Sequence, residues 1–227
     1  MNNINHIFFD LDHTLWDFET NSDLAFKSIF QKHKLNIDFQ KFANYYRPIN
    51  QKYWKMYREE RVSKEDLRYG RLKETFTKIK FEVSNQTINS LAIDYIDHLP
   101  LNNYLFDGTF EILDYLMPNY SMHIITNGFN EVQHEKIKKS GLQKYFSKII
   151  TSEEVGVKKP NPIIFNQALK IANAQSKESI MIGDNWEADI MGAKNVGLDV
   201  IFCNFSNHPV SENIKSVNNL YEIKKYL

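Results

Sequence analysis

The chain has 227 residues, 42% of them hydrophobic and 25% charged, which is typical of a globular protein with a sizeable core. Its 28 lysines and arginines balance 28 aspartates and glutamates, so no net field favours a nucleic acid polymer or an anionic membrane. The single cysteine, Cys203, excludes an internal disulfide and a cysteine-built metal site. No apolar run approaches the roughly 20 residues of a membrane span, and the N-terminus lacks a signal-peptide pattern. We therefore expect a soluble, cytoplasmic protein.

The first predicted element is a short apolar run that ends in two acids. Residues Ile7–Phe9 resemble a buried strand of a parallel sheet, and Asp10 and Asp12 follow directly. Side chains alternate along an extended strand, so the two carboxylates point the same way. In an open α/β sheet, ligands bind beyond the carboxyl ends of the strands. On these residues alone, an Asp-rich turn that merely ends a strand is an equally good interpretation.

The segment from about residue 20 to 99 shows helical periodicity only. We expect several helices here and no strand, because apolar residues recur at a spacing of three or four and start and stop signals separate the runs. The signals are Thr20 or Asn21 as a first N-cap, Pro48 as a break or kink, Ser63 with Asp66 as a capping box, and Ser84 and Pro100 as the ends of the last helix.

From Asp107 onward, predicted helices and strands alternate. Strands are expected at 122–125, 148–150, 179–182 and 199–203, with 152–162 as a loop and helices at 187–195 and 217–227. The strand at 199–203 is expected to be the last. This rhythm predicts an α/β fold, a Rossmann-like parallel sheet with helices on both faces. Since the first strand belongs to the same sheet, the helical segment is an insertion between strands one and two.

Polar side chains follow every strand that precedes a candidate site. They are Asp10 and Asp12 after the first strand, Thr126, Asn127 and Gly128 after the second, Lys158 and Lys159 in the loop after the third, and Asp184 with Asp189 after the fourth. Carboxylates, a hydroxyl, a glycine that allows close backbone approach and a lysine meet at one edge of the sheet. Since Mg²⁺ prefers oxygen ligands and commonly bridges carboxylates to phosphate, the pattern predicts a site for phosphate and Mg²⁺.

Four stretches together resemble the signature motifs of the haloacid dehalogenase superfamily, in its phosphatase branch. They are Asp10-Leu11-Asp12-His13-Thr14, Ile124-Ile125-Thr126-Asn127, Lys159-Pro160 with Phe165 behind it, and Gly183-Asp184-Asn185-Trp186-Glu187-Ala188-Asp189. The helical segment corresponds to the cap domain that this superfamily inserts, with residues 16–102 as the cap and 1–15 plus 103–227 as the catalytic core. His13 departs from the pattern, which most often has glycine there. The stretch from Asp12 to Asn21 looks most like the pyrimidine 5′-nucleotidases of the superfamily.

The resemblance implies a role for each motif residue in a two-step phosphoryl transfer. Asp10 is the expected nucleophile, which forms an aspartyl-phosphate, and Asp12 the expected general acid and base. Lys159 is preferred over Lys158 because it directly precedes the proline. The remaining expectations are Mg²⁺ held by the side chains of Asp10 and Asp184 and the backbone carbonyl of Asp12, substrate phosphate held by Thr14, Thr126, Asn127, Gly128 and Lys159, and Asp189 orienting metal-bound water or Lys159 from behind.

The expected substrate is a small phosphate ester, with a pyrimidine nucleoside 5′-monophosphate preferred. Phosphoglycolate and sugar phosphates are the alternatives within the same chemistry. A phospho-accepting regulatory or binding module is the alternative of another class, but such receivers are shorter, lack an insertion and carry the acceptor mid-chain. Asp12 argues against dehalogenase chemistry, which has no ester to protonate. The aromatics of the helical segment, among them Tyr45, Tyr46 and Tyr57, can stack on a nucleobase or simply form a core, and Trp16 and Phe18 can touch substrate or pack. The oligomeric state cannot be read from the sequence.

Overall fold

The computed structural model of the protein describes residues 4–207, 209–210 and 213–227. The chain divides into two compact units. The α/β unit comprises Met1–Phe18 and Asn103–Leu227, and the helical unit comprises Glu19–Asn102. Within the described ranges, none of the helices combines the length and the apolar character needed to cross a bilayer.

The α/β unit is built on one six-stranded parallel sheet. Its strands are β1 (His6–Phe9), β2 (Ser121–Thr126), β3 (Lys148–Thr151), β4 (Ser179–Gly183), β5 (Asp199–Cys203) and β6 (Lys215–Val217), in the spatial order β3-β2-β1-β4-β5-β6. The predicted α/β fold with a parallel sheet is confirmed. The expectation that 199–203 is the last strand is wrong, because β6 pairs in parallel with β5 through residues such as Cys203 and Val217.

Helices connect the strands and form the helical unit. They are α1 (Phe18–Lys32), α2 (Phe39–Arg58), α3 (Lys64–Ile79), α4 (Asn85–His98), α5 (Thr109–Leu116), α6 (Asn130–Lys139), α7 (Ser152–Val155), α8 (Pro162–Ala172) and α9 (Gly192–Lys194). Short 3₁₀ segments lie at Leu99–Leu101, Gln143–Tyr145, Ser176–Glu178 and Leu220–Lys225, and a π-helical turn at Trp186–Met191.

The register of the central strands sets the level of the candidate site. Phe9, the last residue of β1, pairs with Ile124 of β2 and Ile182 of β4. Asp10 continues this alignment, since its backbone N–H donates to the carbonyl of Ile182 at 2.9 Å. The strands are almost uninterrupted apolar runs because both faces of the sheet are covered. On one face, Phe8, Ile125 and Met181 pack with Phe165 of α8.

The helical unit has an aromatic core. Phe26 stacks on Tyr95 with ring centroids 4.3 Å apart and meets Tyr46 edge-on at 4.5 Å. Tyr46 and Tyr57 are 3% and 8% exposed, so they serve the core, whereas Tyr45 is 42% exposed. Packing thus accounts for Tyr46 and Tyr57 among the aromatics considered for base stacking, while Tyr53, Trp54 and Tyr69 are partly exposed.

The expected first N-cap is wrong, and of the break or kink expected at Pro48 the break does not occur. The helix α1 begins at Phe18, so Thr20 and Asn21 lie within its first turn instead of capping it. Pro48 lies inside α2, which continues to Arg58 without a break. The missing N–H of a proline costs a helix one hydrogen bond, and the buried Ile49 beside it anchors α2 across that point. The capping boxes and caps behave as expected at Ser63 and Ser84.

The part of the chain after β3 departs from the predicted secondary structure in three places. The expected helix at 187–195 is a π-helical turn over Trp186–Met191 that runs into α9. The expected terminal helix is absent as such within the residues described: Val217 closes β6, and Leu220–Lys225 is 3₁₀-helical. The side chain of Asn219 accepts from the N–H of Glu222 and starts this short segment. The expected loop at 152–162 contains α7.

Candidate active site

The site begins with a tight turn that follows β1. The carbonyl of Leu11 accepts the N–H groups of Leu15 and Trp16 at 3.0 and 2.9 Å. His13 has φ of 64°, in the left-handed region that a residue with a Cβ rarely adopts. This conformation explains why glycine suits the position, and histidine is one of the few other residues that tolerate it.

Lys159 lies at the centre of the site, where its ammonium group has three oxygen neighbours. Its Nζ lies 2.6 Å from Asp10 Oδ1, 2.7 Å from Asp189 Oδ1 and 2.7 Å from the carbonyl oxygen of Ile125. The residue is 2% exposed. Burial lowers the pKa of Lys159, but attraction to Asp10 and Asp189 outweighs burial, so the pKa is raised and the side chain stays charged.

Asp189 reaches Lys159 because β4 ends in glycine. Its Oδ2 accepts the backbone N–H of Asn185 at 3.0 Å, which fixes the carboxylate at the start of the π-helical turn. A Cβ on Gly183 would lie 2.3 Å from the same oxygen, a distance that no real contact allows. Asp189 can therefore occupy this position only because residue 183 is a glycine. Asp189 itself is completely buried.

Three carboxylates converge at this point. Oxygens of Asp10, Asp184 and Asp189 all lie within 4.8 Å of one another. Burial, opposed by Lys159 and assisted by Asp189 and Asp184, raises the pKa of Asp10 well above its usual range. Burial and repulsion from Asp189 raise the pKa of Asp184 to about 8. Thr14 Oγ1 donates to Asp184 Oδ1 at 3.2 Å and orients it.

The cluster fits a hard divalent cation. Its donors are all carboxylate oxygens, the ligands that Mg²⁺ prefers. Burial raises the pKa of both Asp10 and Asp184, repulsion from neighbouring carboxylates adds to it, and the attraction of Lys159 does not offset these two effects. A bound cation would favour the ionised form of these carboxylates. The cluster contains Asp189 as well as the two predicted side-chain ligands, whereas Asp12 directs its carboxylate elsewhere.

The segment after β2 supports Lys159 and offers a hydroxyl. The side chain of Asn127 donates to the carbonyl of Lys159 at 2.9 Å and accepts its N–H at 2.8 Å. Thr126 Oγ1 accepts from the N–H of Gly128 at 3.1 Å and from Gln133 Nε2 at 2.7 Å. In both contacts with Thr126 the oxygen is the acceptor, so the hydroxyl proton can still be donated to a ligand.

Gly128 makes room for a protein side chain. A Cβ at this position would lie 2.4 Å from the side chain of Gln133. The sequence suggested that Gly128 lets the backbone approach a ligand closely, and the group that lies close to it in the structure is the side chain of Gln133. The packing of Gln133 therefore explains why residue 128 is a glycine, independently of the substrate contact that the sequence suggested.

Asp12 has two partners that sequence reasoning missed. Gln133 Nε2 donates to Asp12 Oδ2 at 3.0 Å, and Lys136 Nζ donates to Asp12 Oδ1 at 2.5 Å. Both residues are buried on α6, together with Val132 and Ile137. Positions 132, 133, 136 and 137 form one helical face, so the two polar residues among apolar ones are a sequence signal that they are buried, although this signal does not identify Asp12 as their partner.

The predicted residues occupy one edge of the sheet in two linked groups. Asp10, Asp184, Asp189 and Lys159 form the first, with Thr14 and Asn127 bonded to it. Asp12 and Thr126 form the second, joined by Gln133, with Gly128 beside them. Trp16 is fully buried and Phe18 is 6% exposed, and both rings face the ammonium group of Lys136. Packing thus accounts for the two aromatics that follow the turn.

Several known proteins are similar to this chain in sequence or in fold. The chain is 31% identical over 222 residues to the pyrimidine 5′-nucleotidase PynA of Streptococcus pneumoniae, across 97% of this chain and 91% of that one. It is 28% identical over 205 residues to a glyceraldehyde 3-phosphate phosphatase of Methanothermobacter thermautotrophicus, across 87% and 84%. A crystal structure of the HAD-hydrolase YfnB of Bacillus subtilis bound to magnesium superposes with a TM-score of 0.88, at 25% identity and over 98% of both chains.

The match to a protein family covers most of the chain. A model of the haloacid dehalogenase-like hydrolases aligns with residues 7–203, from the strand that precedes Asp10 to the end of β5. This span contains every residue of the two groups at the sheet edge. The chain belongs to the haloacid dehalogenase-like hydrolase family.

Proposed function

We propose that the protein is a Mg²⁺-dependent phosphatase of small phosphate monoesters, with pyrimidine nucleoside 5′-monophosphates as its substrates. One observation carries the proposal: the two acids of a single turn have different partners. Asp10 lies in the carboxylate cluster beside Lys159, whereas Asp12 is bonded to Gln133 and Lys136. Two carboxylates in separate surroundings suit two separate roles, one as nucleophile and one as proton carrier.

In the first step, a carboxylate oxygen of Asp10 attacks the phosphorus of the ester. The bond between phosphorus and the ester oxygen breaks, and Asp12 gives its proton to that oxygen, so the alcohol leaves neutral. In the second step, water attacks the aspartyl-phosphate, the bond from phosphorus to Asp10 breaks, and Asp12 takes a proton from the water. Ester and water thus become alcohol and phosphate, and both carboxylates return to their starting states.

The remaining groups hold charge and position. The side chains of Asp10 and Asp184 and the backbone carbonyl of Asp12 would hold the Mg²⁺, which would supply positive charge beside the phosphoryl group. Thr126 donates its hydroxyl proton to a phosphate oxygen, and the charged Lys159 neutralises another, with Thr14, Asn127 and Gly128 maintaining the geometry around them. Asp189 orients Lys159 through the ion pair at 2.7 Å.

The choice of a pyrimidine nucleotide is supported by the relative PynA, a pyrimidine 5′-nucleotidase that matches nearly the whole chain. Phosphate is common to all candidate esters, so the choice among them falls to residues outside the phosphate site. We assign this selection to a cap domain of residues 16–102 and the chemistry to a core of residues 1–15 and 103–227.

A second candidate is a sugar or triose phosphate. The glyceraldehyde 3-phosphate phosphatase relative supports it at 28% identity over most of both chains. The same catalytic residues serve this alternative, since the two differ only in the alcohol that leaves. Phosphoglycolate falls in the same group of small esters.

A panel of phosphate esters separates these candidates. Phosphate release is measured with UMP, dUMP, dTMP, AMP, glyceraldehyde 3-phosphate, phosphoglycolate and hexose phosphates, each with Mg²⁺ and with excess chelator. We expect the three pyrimidine nucleotides to have the highest kcat/KM and the chelator to stop turnover. Inert pyrimidine nucleotides beside an active triose or sugar phosphate would overturn the nucleotidase assignment. Formation of a stable, stoichiometric phosphoprotein without turnover would overturn the assignment as a phosphatase.

A further inference from the structure

One helix holds both oxygens of the Asp12 carboxylate. From α6, Gln133 Nε2 donates to Oδ2 at 3.0 Å and Lys136 Nζ donates to Oδ1 at 2.5 Å. Gln133 is 0% and Lys136 1% exposed, so water does not compete for either donor. Donors on two different oxygens restrict both side-chain torsion angles of Asp12, which otherwise has several rotamers.

Packing alone does not explain a lysine at this position. Lys136 Nζ lies 4.0 Å from the ring centroid of Trp16 and 5.3 Å from that of Phe18, so the ammonium group is enclosed by aromatic rings. Burying an ammonium group costs free energy that a methionine of similar length would not cost. The ion pair between Lys136 and Asp12 offsets part of this cost, and a methionine could not form it.

We propose that Lys136, assisted by Gln133, is a positioning residue for Asp12. It holds the carboxyl group in the orientation from which the proton passes to the leaving oxygen. Each carboxylate oxygen uses one lone pair toward α6 and keeps the other for the substrate. Gln133 also donates to Thr126 Oγ1 at 2.7 Å, so one side chain sets the distance between the proton carrier and a phosphate-binding hydroxyl. The proposal rests on the phosphatase function argued above.

Esters with different leaving groups distinguish positioning from general structural support. A nucleoside leaves as a strongly basic alkoxide unless it is protonated, whereas p-nitrophenolate is stable without a proton. Loss of a positioned acid therefore slows the attack step for UMP far more than for p-nitrophenyl phosphate. The kcat/KM ratio of the two esters reports that difference, since both share the same nucleophile, metal site and phosphate contacts.

The test compares wild type with Lys136→Met and Lys136→Arg, all with saturating Mg²⁺. We expect Lys136→Met to lower kcat/KM for UMP by about 10- to 100-fold, the range that a misplaced catalytic group produces, and that for p-nitrophenyl phosphate by less than about threefold. Lys136→Arg keeps the charge and a donor, so we expect it to recover most of the ratio. Lys139→Met is the matched control, because Lys139 lies on the same helix, is 38% exposed and pairs only with Glu135 among the contacts described.

Thermal melts with and without Mg²⁺ provide a readout that does not depend on turnover. An unchanged Mg²⁺-induced shift in Lys136→Met establishes that the carboxylate cluster is intact. If Lys136→Met fails to fold, Lys136→Gln replaces it and is expected to show the same selective loss to a smaller degree. Equal losses for both esters, no loss, or no recovery in Lys136→Arg would each overturn the positioning role while wild type remains active. If the wild-type protein is inactive on every ester, both the proposed phosphatase function and the positioning role of Lys136 are overturned.

Discussion

The side-chain amide of Asn127 hydrogen-bonds both the N–H and the C=O of Lys159, at 2.8 and 2.9 Å. These two bonds join the segment after β2 to the loop before α8, and they set the backbone from which Lys159 reaches Asp10. Asn127 therefore acts on the site through the lysine, and a change at Asn127 tests whether the position of Lys159 matters.

Replacement of Asn127 by alanine is expected to lower kcat/KM by about 10- to 100-fold, since small misplacements of a charged group at the reacting centre have effects of this size. Steady-state assays with the best ester of the panel measure it. Asn119→Ala is the control, because Asn119 is exposed and its side chain lies outside the site. Full activity in Asn127→Ala would show that Lys159 holds its place without this contact.

Replacement of Asp10 by asparagine removes the proposed nucleophile and is expected to abolish phosphate release. An amide of the same shape occupies the space but cannot attack phosphorus. The fold is expected to persist, since one fewer buried carboxylate reduces repulsion with Asp184 and Asp189. Circular dichroism and a phosphate assay provide the two measurements, with the exposed Asp97→Asn as control. Retention of even about a tenth of wild-type turnover is incompatible with Asp10 as nucleophile.

Binding of Mg²⁺ is expected to stabilise the protein against heat. A ligand at 100 times its Kd adds about 2.7 kcal/mol, which for a chain of this size corresponds to roughly 5–10 °C in Tm. The cause is relief of repulsion among Asp10, Asp184 and Asp189. Differential scanning fluorimetry with Mg²⁺ and with chelator measures the shift. We expect Asp184→Asn to lose most of it and Asp97→Asn to keep it, and an undiminished shift in Asp184→Asn would place the ion elsewhere.

His123 predicts a loss of stability in mild acid. It is 2% exposed, and its Nε2 lies 3.2 Å from Nδ1 of His6. Burial, with repulsion from His6 and Lys148, lowers the pKa of His123 to about 4 from an ordinary value of 6.5. The unfolded chain therefore takes up a proton below pH 6.5 that the folded protein accepts only near pH 4, so stability falls as the pH drops through this window.

Melting curves between pH 7 and pH 4 check this expectation. The Tm of His123→Leu is expected to fall less steeply than that of wild type, because the variant has no group to protonate there. His134→Gln is the control, since the side chain of His134 is 45% exposed. Parallel pH profiles for wild type and His123→Leu would mean that other groups govern the acid sensitivity.

The central strands and the residues at their ends could be predicted from the sequence because each strand is an apolar run that a polar residue terminates. Asp10, Thr126 and Asp184 follow such runs, and the parallel sheet brings their ends together. The family signature added an expected role for Lys159, which lies in a loop. These features are local in sequence or have a fixed spacing, so a single chain reveals them.

The partners of Asp12 were not predictable in the same way. Gln133 and Lys136 lie 121 and 124 residues from Asp12 along the chain, and the sequence around them does not indicate that their partner is an aspartate. A lysine in a helix is most often a surface residue. Only the packing of α6 brings it inside. The departures at Pro48 and in 217–227 have a related cause, since tertiary contacts override local helix signals there.

The carboxylate cluster also has a consequence for the order of binding. When Asp10, Asp184 and Asp189 are all ionised, the single charge of Lys159 leaves them with an excess of negative charge. A phosphate ester is itself an anion, and in a buried site repulsion of this kind is only weakly screened. Under the proposed function, we therefore expect the ester to enter readily only after a divalent cation is in place. An ordered addition, with the cation first and the ester second, is the kinetic pattern expected from the composition of the cluster.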